Sequence, residues 1–318
     1  MAKILIGHYS LHHPLLCDSR VLGKEIEIKV AGRKGTICFP IVKPHISKDG
    51  YILTCPIENE DWLNTPLNDG STEWGKVVSY CLKPDNTPDC IAYVSSIILK
   101  FNNTSNPQLI FDNISDWFER FYKIKELLTH SSRFHSANEL SCNTPPLDLF
   151  YYKNNKLSKI QNSTTSIISI QSEILHEGIS FDLYNDIADL TNKHKDISFE
   201  YQQYLNALHA FDKKNYSMVI VECAVAIEKA LSSGIEKTCK KKHLSYKKLH
   251  EKYKMLGGLF ALAEALSMKL PTADYSTNIK DLRNNVVHQG VKPTKQQAKK
   301  FLDDTNKYLN AYCKLLQS

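Results

Sequence analysis

Along the first hundred or so residues, hydrophobic side chains recur at every second position, the spacing of a half-buried strand. Residues Glu25–Val30 alternate strictly, with three aliphatic side chains on one face and three charged ones on the other. Residues 31–35 predict a turn and residues 36–42 a returning strand. Further strands are predicted at residues 51–54, 77–82, 91–101 and 108–111. Clusters of Asn, Asp, Pro and Gly, which are typical of turns, separate these segments.

The pattern of the next hundred residues is mixed. A four, three, four spacing of apolar residues predicts a helix capped by Ser115. Residues 129–147 are polar and irregular, which predicts a linker or an exposed loop. The other predicted elements are a hairpin of residues 149–152 with 157–160, a strand at residues 166–170 and a helix that begins at Ser180.

From about residue 197 the hydrophobic period is helical and remains so to the C-terminus. The pattern predicts five helices joined by short links, which describes a bundle. They begin at the N-cap Ser198, at Tyr216, near Ser245 with a kink at Gly257-Gly258, at about Ser276, and at Thr294, where Thr294 and Gln297 form a capping box.

These patterns together predict an α+β protein. Residues 1–135 are predicted to form a β-rich recognition or sensing domain, residues 136–196 a connecting region with the hairpin and one helix, and residues 197–318 the helical bundle. No apolar run reaches the roughly 18 to 20 residues of a membrane span, and no leader sequence is evident, so the expected location is the cytoplasm. Nine cysteines without a Cys-x-x-Cys pair favour reduced, buried thiols.

The net charge of +6 is unevenly distributed. From residue 201 onward the chain has 20 Lys and Arg against 10 Asp and Glu, a balance of +10, which leaves 20 against 24, or −4, for residues 1–200. A basic helical part predicts contact with a polyanion, although a solvated lysine-rich surface is an equal alternative.

One short segment near the end of the predicted fourth helix combines charge, hydrogen bonding and a proton-transfer group. Arg283, Asn284 and His288 lie within six residues, and Gly290 follows as a predicted helix end. Arginine can hold a phosphate through two hydrogen bonds, and histidine exchanges a proton near neutral pH.

This segment, the alanine-rich second helix and the helical order resemble a HEPN domain over roughly residues 197–318. The signature of that superfamily is an arginine, often followed by a polar residue, and a histidine after four to six positions. The resemblance implies a helical domain that dimerises so that two motifs meet in one cleft, and that in many members cuts RNA without a metal or cofactor. It also implies a role like that of bacterial abortive-infection or toxin effectors, with the β-rich domain sensing a protein or phage-derived trigger.

On this basis His288 is predicted to act as general acid or base, Arg283 to bind the scissile phosphate and Asn284 to position one of them, which leaves a 2′,3′-cyclic phosphate. Five helical positions separate Arg283 and His288 by roughly 140°, so the length of the arginine, fraying before Gly290 or a second subunit must bring them together. The alternative is that His288 only interacts with the helix C-terminus and Arg283 pairs with Asp281 or a neighbour.

Other charged residues are candidates for supporting roles. Glu222, within the apolar second helix, could reach the cleft, or it could lie on the solvated side of that helix. The histidines near the N-terminus match no zinc pattern, so no metal site is predicted. Five lysines could follow an RNA backbone or belong to a solvated loop: Lys240, Lys241, Lys242, Lys247 and Lys248.

The sequence thus predicts a metal-independent endoribonuclease. Two alternatives are open, a non-catalytic dimerisation or nucleic-acid-binding module and a protein–protein adaptor based on the β-rich domain.

Overall fold

The β-rich and helical parts of the chain form two separate units in the computed structural model, so the fold class is α+β. The first unit comprises Met1–Lys125 with Phe134–His194, and the second comprises Glu126–Arg133 with Lys195–Ser318. The predicted strand at residues 166–170 and most of the predicted loop at residues 129–147 lie outside the described residues. The structure describes residues 4–44, 50–57, 71–82, 88–102, 106–130, 147–153, 156–161, 178–193, 195–272 and 275–316.

An antiparallel sheet of seven strands dominates the first unit. The strands of this unit are β1 (Ile4–Asp18), β2 (Glu25–Val30), β3 (Arg33–Cys38), β4 (Ile41–Pro44), β5 (Tyr51–Thr54), β6 (Gly75–Leu82), β7 (Pro88–Asn102), β8 (Leu147–Lys153) and β9 (Lys156–Gln161). The large sheet has the order β2-β3-β7-β1-β8-β9, and β6 also pairs with β7. The strands β4 and β5 pair separately.

The hairpin of β2 and β3 confirms the alternation found in the sequence. Ile26, Ile28 and Val30 are buried, whereas the charged residues between them are exposed. The turn is shorter than predicted, because only Ala31 and Gly32 lie outside the pairing, with φ of 46° and 79°. Positive φ at both central residues is the requirement of a type I′ turn, whose twist matches that of the two strands.

One predicted strand is wrong. Residues 108–111 form the first turns of helix α1 (Pro107–Thr129), which therefore begins well before Ser115. A short apolar run cannot by itself distinguish a strand from a buried helix. The local signals for a helix are Pro107 at its first position and Asn106, whose side chain accepts a hydrogen bond from the Leu109 N–H at 3.3 Å.

Aromatic side chains join α1 to the sheet and to α2 (Phe181–Asn192). Phe118 of α1 stacks on Tyr9 of β1 with ring centroids 4.2 Å apart. Phe121 lies parallel to Tyr184 of α2 at 6.1 Å. The predicted cap of α2 is confirmed, since the Ser180 hydroxyl accepts a hydrogen bond from the Leu183 N–H. The aromatic layer thus covers one part of the sheet.

The hairpin predicted for residues 149–152 and 157–160 is present as β8 and β9. The hairpin was predicted to lie in a connecting region, but β8 pairs with β1 from Ile4↔Tyr152 to Tyr9↔Leu147. It therefore extends the large sheet.

The second unit is helical. Its elements are α3 (Phe199–Asp212), α4 (Tyr216–Lys241), α5 (Tyr246–Lys252), α6 (Leu256–Ala265), a π-helical segment (Ser276–Asp281), α7 (Leu282–Gln289) and α8 (Lys295–Tyr312). The long helix α4 contacts α3, α5, α6, α7 and α8 and is buried on a wide face. The small alanine side chains on that face allow neighbouring helices to approach, so α4 is the centre of the unit.

The prediction of one helix from Ser245 is wrong, because the chain breaks into α5 and α6 at Tyr253–Met255 rather than kinking at the glycine pair. Gly258 explains the geometry, since a Cβ there would lie 3.1 Å from the Cα of Tyr253. The glycine lets α6 pass close to the end of α5. The capping box of Thr294 and Gln297 at the start of α8 is confirmed.

Ser198 occupies the N-cap position of α3 as predicted, but its hydroxyl forms no cap bond. It donates instead to the Lys314 carbonyl at 3.0 Å, which ties the start of α3 to the chain after α8.

The last residues of α1 also belong to the second unit. Glu126 is fully buried, and its Oε2 lies 2.9 Å from Nε2 of His209 on α3. His130 follows the helix, with Nδ1 3.3 Å from the Tyr204 hydroxyl and Nε2 3.2 Å from Nδ2 of Asn306. These contacts fix the end of α1 against α3 and α8. None of the helices in the described ranges is both long and apolar enough to cross a membrane.

Candidate functional site

The motif helix α7 continues directly from the π-helical segment. The sequence predicted one helix from about Ser276 to Gln289, whereas the structure divides it at Leu282. Ile279 is fully buried and Val286 is nearly so, and these two side chains hold both halves against the core. Residues 287–290, at the end of the helix, are exposed to solvent.

Gly290 ends α7 as the sequence predicted. Its φ of 67° is left-handed, and the N–H groups of Gly290 and Val291 both point to the Asn285 carbonyl. Glycine adopts this conformation without the steric cost of a Cβ, and the two bonds satisfy a carbonyl that the helix leaves open. The helix therefore ends at Gln289, one residue after His288.

Arg283 contacts both Asn284 and His288 within a single chain. Nη1 of Arg283 lies 3.2 Å from Nε2 of His288 and 3.2 Å from Oδ1 of Asn284. The guanidinium has only donors, so both of the other atoms accept. The three predicted site residues therefore form one hydrogen-bonded group.

The length of the arginine side chain closes the angular gap of about 140° between positions 283 and 288. Arg283 is half-buried and His288 is exposed, so the guanidinium extends along the surface of the helix toward its C-terminal end. This is the first of the three routes that the sequence left open, and the contact forms without a second copy of the chain. The guanidinium contacts Asn284 and His288 rather than Asp281.

A carboxylate that the sequence analysis did not single out lies near the arginine. Glu228 on α4 is half-buried, and burial raises its pKa above the ordinary value, an effect that the nearby charge of Arg283 and the N–H of Leu256 partly oppose. Leu256 is the first residue of α6, so Glu228 lies near the start of that helix. The signal in the sequence was a charged residue among buried positions of α4.

For Glu222 the sequence left open a place in the cleft or on the solvated side of α4. Glu222 lies six residues before Glu228 on the same helix, which corresponds to about 9 Å along the axis and about 120° around it. The two carboxylates therefore lie on different faces of α4, and Glu228 is the one whose pKa the charge of Arg283 affects.

The five candidate lysines lie at the end of α4 and on α5, where all are exposed. Lys240 is 12 residues after Glu228, or about 18 Å along α4, and pairs with Glu236 at 3.0 Å. Lys242 donates to the Leu266 carbonyl at 2.7 Å and so caps α6. Lys240 therefore lies well away from Glu228 along α4, and both Lys240 and Lys242 have contacts within the helical unit.

The histidines near the N-terminus face aromatic rings. His8 lies 5.1 Å from Trp74 and His13 lies 5.5 Å from Tyr122, measured between ring centroids. Across the described ranges, no three His, Cys, Asp or Glu side chains form a group that could hold a metal ion.

Comparison of this chain with known proteins identified no relative. No protein-family model, no curated protein and no solved structure matches the chain. The resemblance to HEPN domains therefore rests on the Arg283–His288 motif and on the order of the helices.

Proposed function

We propose that this protein is a metal-independent endoribonuclease of HEPN type. The observation that carries the proposal is the 3.2 Å contact between Nη1 of Arg283 and Nε2 of His288 at an exposed helix end. A permanent positive charge and a proton acceptor at this distance are the two groups that phosphodiester cleavage needs. Neither group requires a metal ion for its part.

In the proposed reaction, RNA supplies its own nucleophile. The 2′-hydroxyl attacks the adjacent phosphorus, the O2′–P bond forms and the P–O5′ bond breaks. Nε2 of His288 accepts the 2′ proton, and the departing 5′ oxygen takes a proton from solvent or from the protonated His288 of a second copy. The products are a 2′,3′-cyclic phosphate and a 5′-hydroxyl.

Arg283 holds a non-bridging oxygen and stabilises the charge that develops on the phosphorane. Asn284 orients the guanidinium through its 3.2 Å contact with Nη1. A homodimer through the helical unit supplies the second histidine, and the β-rich unit serves to recognise an activating trigger. The biological role proposed is that of an antiphage, abortive-infection or toxin effector, by analogy with other proteins of this layout.

The test is cleavage of RNA by the purified full chain in EDTA. We expect Arg283→Ala and His288→Ala each to lower the initial cleavage rate by about 10²-fold or more. Matched controls are Lys292→Ala, which removes an exposed positive charge close to the motif, and His243→Asn, which removes an exposed imidazole far from it. Circular dichroism and mass by light scattering should be unchanged. If either motif variant cuts RNA at the parental rate, the site is wrong.

A second candidate function is nucleic-acid binding without cleavage. The exposed lysines at the end of α4 and on α5 favour it, because a lysine-rich surface attracts a phosphate backbone independently of any catalytic group. A parent chain that binds RNA but leaves it intact in EDTA and in Mg²⁺ would support this function.

A further inference from the structure

The contact between Arg283 and His288 requires one particular tautomer of the histidine. A guanidinium is always charged and has no lone pair to offer, so Nη1 can only donate. Nε2 of His288, 3.2 Å away, must therefore accept through its lone pair. It follows that, while this contact is made, the imidazole proton lies on Nδ1.

The lone pair that accepts from Arg283 is the one that the proposed reaction requires. A base whose lone pair already has a donor cannot take the 2′ proton of RNA. The free site is thus in a resting arrangement, in which the phosphate-binding group covers the proton acceptor. This arrangement is exposed to solvent and is contained in one chain, so the release of a buried contact is not required to open it.

A phosphate oxygen competes well for the same donor. Hydrogen bonds between an arginine and an ionised oxygen are roughly twice as strong as bonds to a neutral acceptor, and the planar guanidinium can form two of them at once. Nε2 of His288 and Oδ1 of Asn284 are neutral acceptors that share Nη1. An arriving phosphate oxyanion therefore replaces Nε2 of His288 as the acceptor.

We infer that Arg283 is a substrate-operated cover for His288: a phosphate oxyanion draws the guanidinium away from Nε2 and so creates the base at the moment of binding. The ligand class is a phosphate mono- or diester. The value of this exchange for catalysis rests on the proposed ribonuclease function, but the exchange itself is a property of the two side chains and can be measured without RNA cleavage.

Nitrogen-15 NMR of the histidine rings tests this inference in the full chain, at about pH 8, where ordinary imidazoles are neutral. In the parent we expect His288 as the Nδ1–H tautomer, although a free imidazole side chain prefers Nε2–H. Arg283→Met keeps the apolar stem and removes every donor, so His288 should revert toward Nε2–H. Inorganic phosphate added to the parent should produce a change in the same direction. His243, exposed and distant from the motif, provides the internal reference.

Modification by diethyl pyrocarbonate, which attacks an available imidazole lone pair, gives a second measurement. An exposed hydrogen bond of about 0.5 to 1.5 kcal/mol corresponds to a rate increase at His288 of roughly 2- to 10-fold when the bond is removed. We expect this increase in Arg283→Met and in the parent saturated with phosphate, with no change at His243.

A predominant Nε2–H tautomer in the parent, or a tautomer and a modification rate that do not respond to phosphate, would overturn the inference. These outcomes are independent of the proposed function. RNA cleavage together with an Nε2–H tautomer would refute the covering role of Arg283 and support the ribonuclease function. An Nδ1–H tautomer that responds to phosphate, without any RNA cleavage, would support the covering role and refute the ribonuclease function.

Discussion

Single side chains decide the chemistry that α7 can perform, because one guanidinium nitrogen contacts both of the other motif residues. Glu228 adds a negative charge to this neighbourhood from a different helix. A carboxylate close to Arg283 limits how strongly the arginine attracts anions, and burial makes its charge costly for the fold. Glu228 therefore links the site to the stability of the helical unit.

We expect Glu228→Gln to raise the unfolding temperature by a few degrees at pH 7. The pKa of Glu228 is raised by burial, so the folded state disfavours the ionised form. Stability is then lost as pH rises from the ordinary value of 4.5 through the raised one. Glutamine has no charge to bury and keeps an oxygen for the Leu256 N–H. The gain should disappear below about pH 4, where both side chains are neutral.

Thermal unfolding at pH 7 and at about pH 4 measures this difference. Glu236→Gln is the matched control, since Glu236 is 44% exposed and pairs with Lys240 at the surface, where an ion pair contributes little. A destabilised Glu228→Gln at pH 7 would show that the attraction to Arg283 outweighs the burial of the charge.

At the scale of elements, the end of α1 is held by polar contacts of Glu126 and His130. Nδ2 of Asn306 donates to Nε2 of His130, so this histidine is neutral in the folded chain. Burial lowers the pKa of His130, the charge of Lys299 lowers it further, and Asp303 opposes both. The turn after α1 is therefore sensitive to acid.

We predict that His130 makes the helical unit less stable as pH falls below about 6.5, the ordinary value. The unfolded chain binds the proton more readily than the folded chain, so the contribution is complete above that pH and is lost below it. His130→Asn should cost about 1 kcal/mol at pH 7.5 through its lost hydrogen bonds. It should also lose less stability than the parent between pH 7.5 and 5. Urea unfolding at the two pH values gives both numbers, and parallel losses would contradict the assignment.

The elements that sequence patterns predicted are those that local chemistry specifies. The alternation in β2, the capping box of Thr294 and the left-handed Gly290 each follow from residues close in the chain. The break between α5 and α6 was not predictable, because Gly258 has meaning only against Tyr253. Burial of the first turns of α1 likewise depends on the whole unit.

Contacts between residues far apart in the chain could not be predicted from the sequence either. Oδ1 of Asn192 accepts from the Lys29 N–H at 2.7 Å and from Nε1 of Trp117 at 3.2 Å, which joins α2, β2 and α1. The motif residues were identified from their spacing, but their contact depends on how the arginine extends. Glu228 was missed because its neighbour Arg283 lies 55 positions later in the chain.

For the whole molecule, the dominant property is the uneven distribution of charge along the chain, −4 for residues 1–200 against +10 for residues 201–318. The lysines on α5 are exposed. If they contact an RNA backbone, each contact releases counterions, and the affinity depends on salt accordingly.

We predict that the double variant Lys247→Gln, Lys248→Gln weakens binding of single-stranded RNA and lowers the slope of log affinity against log salt by about 1.4, or about 0.7 for each lost phosphate contact. A 2′-O-methyl RNA, which lacks the nucleophile, separates binding from cleavage. Lys34→Gln, an exposed lysine of β3, is the control. An unchanged slope in the double variant would assign the α5 lysines to the solvated surface.

The π-helical segment ahead of the motif has a consequence for how this chain tolerates changes in length. Each of its turns contains one residue more than an α-turn, because its hydrogen bonds span five positions instead of four. The ring of Tyr275, just before this segment, stacks on Phe260 at 4.4 Å. The π-helical turn accommodates one extra residue between Tyr275 and Leu282 without breaking the helix. Deleting one residue here would rotate Arg283 and His288 by about 100° relative to that stack. The segment thus sets the angular phase between the core and the motif.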